Sequence, residues 1–157
     1  MWKLKLYLDT SVWNFLYADD APEKKEITER FFEQVKAGKY ELFTSETVFF
    51  EIGKAPKIKR DLLMKTIHEF SPEFLSQTKE VSRLAKSYME NGVLGEKHLY
   101  DLLHLAYASV NGIEILVSWN MRHIVRPKTQ YLVNQTNQFC RSRNLEIWTP
   151  REAIDDE

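Results

Sequence analysis

The sequence predicts an α/β fold, a three-layer α/β/α arrangement with a central parallel sheet. Two observations predict it. Short apolar runs alternate with stretches of helical periodicity along the whole chain. Such alternation is the pattern of parallel strands joined by crossover helices. No linker, internal repeat or low-complexity tract divides the 157 residues, so residues 1–154 are expected to form one domain, with 155–157 frayed.

The elements follow in order. Lys3 to Leu8 alternates and then runs apolar, which predicts a strand ending at Asp9. Val12 to Tyr17 predicts a short helix capped by a hydroxyl or by Asp9. Asp20-Ala21-Pro22-Glu23 opens a second helix, with Asp20 as cap and Ile27, Phe31, Phe32 and Val35 at helical spacing up to Gly38. Tyr40 to Phe43 is a strand, and Thr44 and Ser45 cap a helix carrying Val48, Phe49, Glu51 and Ile52. A break at Lys54-Ala55-Pro56 precedes a helix through Leu62, Leu63 and Ile67, and Glu73 to Leu75 reads as a short strand or a loop. Val81, Leu84, Ala85 and Tyr88 mark a helix stopped at Asn91-Gly92. Lys97 to Asn111 is a helix stopped at Gly112, and Ile113 to Ser118 is a buried strand. Tyr131 to Arg143 is helical in character, Leu145 to Trp148 is the last strand, and Thr149-Pro150-Arg151-Glu152 is a capping box.

Composition narrows the function. A net charge of −1 argues against strong non-specific coating of DNA, while leaving room for a local basic patch. The single cysteine, Cys140, forms no internal disulfide and reads as a small packed residue of a reducing compartment. The start, MWKLKLYLD, is unlike a signal peptide, and no apolar run approaches the ~20 residues that cross a bilayer, so a cytoplasmic protein without membrane contact is expected. There is no glycine-rich phosphate loop and no His/Cys set with zinc spacing.

Parallel sheets place ligands beyond the carboxyl ends of their strands. Asp9 follows the first strand directly; alone it is more often a helix cap than a catalyst. Glu51 lies beside Phe49, Phe50 and Ile52, and alone reads as a surface glutamate on an amphipathic helix. Asp101 interrupts an apolar helix, where aspartate is a poor choice, with His104 three residues on along the same face. Ser118 and Asn120 follow the buried strand and both offer oxygens, although an Asn turn is common there. Gathered in one cleft, such carboxylates repel unless a cation neutralises them, and hard ions such as Mg²⁺ or Mn²⁺ suit oxygen donors.

These stretches resemble, in order, the motifs of the PIN domain family, and in particular VapC-like toxin ribonucleases and their stand-alone relatives. LDTSVW (Leu8 to Trp13) is similar to the opening motif, SETVFFEI (Ser45 to Ile52) to the second, YDLLHLAYA (Tyr100 to Ala108) to the third and ILVSWNMRHI (Ile115 to Ile124) to the fourth. The resemblance implies metal-assisted hydrolysis of RNA. Asp9, Glu51 and Asp101 would hold Mg²⁺ or Mn²⁺, and Asn120 would complete the catalytic set. It also implies an antitoxin partner and a homodimer. The fourth position departs from the pattern: Asn120 stands where many members carry Asp, so it adds no negative charge. Glu96 is a candidate to compensate, against its ordinary reading as a solvated acid at a helix start. Lys54 and Lys57, with Lys59 and Arg60, and Arg122 and Arg126, with His123 and Lys128, are the expected RNA contacts; the ordinary reading of such runs is a solvated face. Trp13, Tyr17 and Trp119 are candidates to stack bases. Ser11 could bond a carboxylate or a water, and His104 could orient Asp101, though a packed helix histidine is the commoner case. Two other readings stay open. One is a degenerate module that binds RNA or a protein. The other is a phosphotransferase of the haloacid-dehalogenase type, which would need an Asp where Ser11 stands.

Overall fold

Five strands of this chain lie parallel in the order β3-β2-β1-β4-β5. The structure, a computed structural model, describes residues 2–154. The strands are β1 (Leu4–Leu8), β2 (Tyr40–Ser45), β3 (Glu73–Leu75), β4 (Ile115–Val117) and β5 (Glu146–Trp148). β1 is central: Leu6 faces Leu42 of β2 on one side and Ile115 of β4 on the other. Leu6, Tyr7 and Leu8 are fully buried, as a strand covered on both faces must be.

The helices are α1 (Thr10–Phe15), α2 (Pro22–Lys36), α3 (Glu46–Ile52), α4 (Lys57–Phe70), α5 (Lys79–Glu90), α6 (Leu99–Val110), α7 (Pro127–Phe139) and α8 (Pro150–Ala153), with a 3-10 turn at Glu96–His98. One packed group joins α1, α2, α4 and α8; the other joins α5, α6 and α7. In the first group Trp13 lies 5.1 Å from the Phe32 ring, which lies 4.7 Å from Phe70. In the second, Tyr88 Oη donates to Asn137 Oδ1 at 2.6 Å and lies 2.9 Å from the Ser109 hydroxyl, which can donate to it, so one phenol binds three helices. Among the described residues no helix is long and apolar enough to cross a membrane.

Several boundaries differ from the sequence reading, for local reasons. Glu73–Leu75 is a strand, paired with β2 from Phe43↔Glu73 onward. Asp20 does not cap α2: Ala21 holds the N-cap position so that Pro22 can open the helix, and Asp19 instead pairs with Lys25 at 2.7 Å. α7 starts four residues earlier than its apolar pattern, because Pro127 opens it. It ends at Phe139 rather than Arg143, where Arg141 takes a left-handed φ of 59°. The helix expected from Lys97 begins with the 3-10 turn and becomes α-helical at Leu99. Cys140 is exposed, not packed. The expected frayed end, 155–157, lies outside the described residues.

Two predicted caps form. Ser45 Oγ accepts from Val48 N–H at the start of α3. At α8, Thr149 Oγ1 accepts from Glu152 N–H at 3.4 Å, while Glu152 Oε1 accepts from Thr149 N–H at 3.0 Å. Thr149→Ala removes one half of this reciprocal pair and should cost about 1 kcal/mol in urea unfolding.

Candidate metal centre

The sheet reverses its direction of growth at β1. The chain builds β2 and β3 to one side, then returns to place β4 and β5 on the other. Connections leaving adjacent strands in opposite directions open a crevice at their carboxyl ends. Asp9 follows β1 and Ser118 follows β4. Ser118 Oγ donates to Asp9 Oδ2 at 2.6 Å, and Ser11 Oγ donates to Oδ1 at 2.5 Å. Both hydroxyls are held in turn, Ser11 by Trp119 N–H at 2.9 Å and Ser118 by Asn120 N–H at 2.8 Å. Asp9 takes the N-cap position of α1, but its carboxylate makes no cap bond. The cap reading is therefore wrong for the side chain, which serves the crevice.

Glu51 arrives on α3. Its Oε1 accepts from Thr10 Oγ1 at 2.7 Å and from His104 Nε2 at 2.6 Å. On its other side the imidazole meets Tyr7 Oη at 2.6 Å, and Tyr7 Oη meets Ser45 Oγ at 2.7 Å. His104 is packed, as its helix position suggested, and the acid it bonds is Glu51.

Asp101 sits in the first turn of α6, half-buried. Asn120 Nδ2 donates to Asp101 Oδ2 at 3.2 Å, while Asn120 Oδ1 accepts from His123 N–H at 3.0 Å. The backbone donor fixes which end of the amide is oxygen. Asn120 is thus both the turn-forming residue its type suggests and a partner of the third acid.

Electrostatics sharpen the picture. Burial pushes Asp9 above the usual carboxylate range, further than the His104 charge and the Ser11 and Ser118 bonds pull it back. Burial also raises Asp101, with the Glu51 charge adding to it. Burial acts on Glu51 in the same sense, but the bond and charge of His104 outweigh it and hold Glu51 low. His104 is raised: burial works against its charge, and Glu51, then Asp9 and Asp101, overcome it. Among the described residues no Lys or Arg forms an ion pair with Asp9 or Asp101.

Two carboxylates without a Lys or Arg partner among the described residues, the buried Asp9 and the half-buried Asp101, are donors of the type a hard divalent ion takes. Among the described residues no three His, Cys, Asp or Glu side chains are already gathered into an ion-holding cage.

At the rim, Lys54 Nζ lies 4.7 Å from both the Phe50 and Tyr100 ring centroids and donates to Tyr100 Oη at 2.9 Å. Arg122 and Arg126 are exposed on the loop after β4, where Arg126 Nη1 donates to Arg122 O. Lys57 instead pairs with Asp61 on its own helix at 2.9 Å. Glu96 is exposed in the 3-10 turn, a solvated acid. Trp13 and Trp119 are buried and closed to bases, and Tyr17 spends its hydroxyl on Thr66. The sequence reading missed Tyr7, Thr10 and Ser45 as parts of the site. The available signal was a phenol inside an apolar strand, two residues before Asp9.

Comparison with known proteins agrees with this fold. A family model described as PIN domain matches residues 6–124, the stretch that holds Asp9, Glu51, Asp101 and Asn120. No curated protein sequence matches the chain. Among solved structures, it is similar to a chain of VapBC2 from Rickettsia felis, bound to a DNA fragment from their promoter: TM-score 0.59, 15% identity, 93% of this chain and 98% of that chain covered. It is also similar to a chain of DNA-bound VapBC from Salmonella typhimurium: TM-score 0.55, 17% identity, 94% and 98% covered. At such identities the likeness speaks for the fold. The family match spans most of the chain and the strand topology agrees with it: this protein belongs to the PIN domain family.

Proposed function

We propose that this chain is a metal-dependent endoribonuclease using Mg²⁺ or Mn²⁺, and the toxin of a toxin–antitoxin pair. The observation that supports the reading is a pair of carboxylates, the buried Asp9 and the half-buried Asp101, with no Lys or Arg ion-pair partner among the described residues; the Asp101 charge raises the cost of ionising Asp9, and the Glu51 charge that of Asp101. A bound divalent ion would supply Lewis acidity toward the phosphate and lower the pKa of a bound water. Asp9, Glu51 and Asp101 would hold it. Ser11 and Ser118 keep the Asp9 carboxylate turned to the crevice, and Asn120 steadies Asp101. Lys54, Arg122 and Arg126 line the rim and would meet the phosphate backbone, with Lys57 contributing less because Asp61 shares its charge. The likeness to chains of VapBC structures supports an antitoxin partner, and the family resemblance supports a homodimer acting in the cytoplasm.

A second reading keeps the fold without catalysis: a module that binds RNA or a protein. It draws on Asn120, whose carbonyl oxygen is committed to His123 N–H rather than open to an ion. One experiment separates the two. Mn²⁺ and Mg²⁺ are titrated calorimetrically into the parent and an Asp101→Asn variant, and cleavage of a structured RNA is followed alongside. Binding and cleavage by the parent, both lost in the variant, is the expected result. Binding without cleavage would favour the second reading, and no binding by the parent would overturn the metal site.

A further inference from the structure

His104 is the one histidine buried among the described residues, 2% exposed and flanked on α6 by Leu102, Leu103, Leu105 and Ala106. An apolar side chain would pack there without the cost of burying an imidazole. What the imidazole does instead is join elements. It stands on α6 one turn after Asp101. Through Nε2 it reaches Glu51 of α3, and through Nδ1 it reaches Tyr7 of β1, two residues before Asp9. The three acids ride on the three elements that this ring ties together. Tyr7 is clamped at its far side by Ser45 Oγ and stacks on Tyr107 at 6.1 Å, so the anchor end of the tie is fixed.

We infer that His104 is a positioning residue for the metal centre: its Nε2–H fixes the orientation of Glu51 toward the crevice that Asp9 and Asp101 share. The bond keeps its sense whichever protonation state the ring adopts, because a carboxylate only accepts and Nε2 must therefore carry the proton. Without it, Glu51 would keep only Thr10, and a half-exposed glutamate on a seven-residue helix would sample other rotamers. Partners that orient ligands commonly set metal affinity by 10–100-fold.

The inference rests on the metal-centre reading, and the test tells the two apart. Mn²⁺ affinity is measured by calorimetry on the parent, His104→Gln and His104→Leu, with thermal unfolding of each metal-free protein. The amide nitrogen of Gln falls near Nε2, so His104→Gln should bind Mn²⁺ within a few-fold of the parent. His104→Leu should bind it on the order of 10–100-fold more weakly. Both variants lose the Tyr7 bond, so both should lose thermal stability; a purely structural histidine would show that loss with no split in affinity. Equal affinities in all three proteins overturn the inference and leave the metal centre standing. A parent that binds no Mn²⁺ overturns both. Should His104→Leu fail to fold, His104→Asn takes its place: its shorter amide falls near Nδ1, within reach of Tyr7 but not of Glu51, and it should weaken Mn²⁺ binding by about tenfold. Unchanged affinity there overturns the inference.

Discussion

Replacing Asp9 by Asn should abolish RNA cleavage, by at least about 100-fold, while leaving the metal-free fold no less stable than the parent. The two halves of this result share one cause. Asp9 is 3% exposed, and burial holds its carboxyl above the ordinary range. For an acid raised in the folded state, stability is present at low pH and is lost as pH rises toward the folded pKa. Asp101 acts in the same sense, and so does His104, whose contribution fades as pH climbs through its raised pKa. Glu51, held low, is the opposing group: it contributes above its unfolded pKa. At neutral pH the parent without metal therefore carries a buried carboxylate at a cost, and Asn removes that cost with nearly the same shape. Thermal unfolding at pH 5 and pH 7.5, with and without Mn²⁺, measures it. The parent should gain more from Mn²⁺ at the higher pH, and Asp9→Asn should gain little at either. A variant that unfolds at room temperature, or that cleaves within a few-fold of the parent, would refute the assignment.

Asn120→Asp should make the protein dependent on divalent metal for its stability. The new carboxylate can still accept from His123 N–H, so the turn survives. It cannot donate to Asp101, and the 3.2 Å bond becomes a contact between two like charges. We expect the metal-free variant to lose about 1–3 kcal/mol relative to the parent. Saturating Mn²⁺ should restore most of the loss, because the ion neutralises the pair. Denaturant unfolding with and without Mn²⁺ gives both numbers. A variant as stable as the parent without metal would mean that the amide–carboxylate bond carries no weight. A loss that Mn²⁺ fails to reverse would mean that the ion does not reach this pair.

The fold was largely legible because strand and helix periods differ so plainly here. Leu6 to Leu8 and Ile115 to Val117 are short and apolar, and the caps at Ser45 and Thr149 announce the helices after them. Strand order was not legible, since nothing local in β1 says that β4 rather than β3 pairs with its second edge. Asp9, Glu51, Asp101 and Asn120 were legible as an ordered set, through resemblance more than through any one of them. Their supports were not. The hydroxyl of Tyr7 matters through His104, 97 positions away, and a spacing of that kind leaves no periodic trace. The stacking candidates failed for a related reason: an indole near a site in sequence is a large apolar body, and Trp13 and Trp119 were taken into the core. Phe50 and Tyr100, immediate neighbours of two of the acids, lie against Lys54 at the rim instead.

The central place of β1 also bears on how the chain comes off the ribosome. Its first edge finds β2 within the first 45 residues, but its second edge waits for Ile115–Val117. Until then the central strand of the sheet presents bare N–H and C=O groups along that edge, the state in which strands recruit wrong partners. A nascent chain at that stage also lacks Ser118 and Asn120, so Asp9 and Asp101 have no fixed orientation. Pairing of the second edge of β1 and assembly of the crevice are one late event in synthesis. A fragment released before it would be prone to aggregate and would lack the assembled acidic crevice.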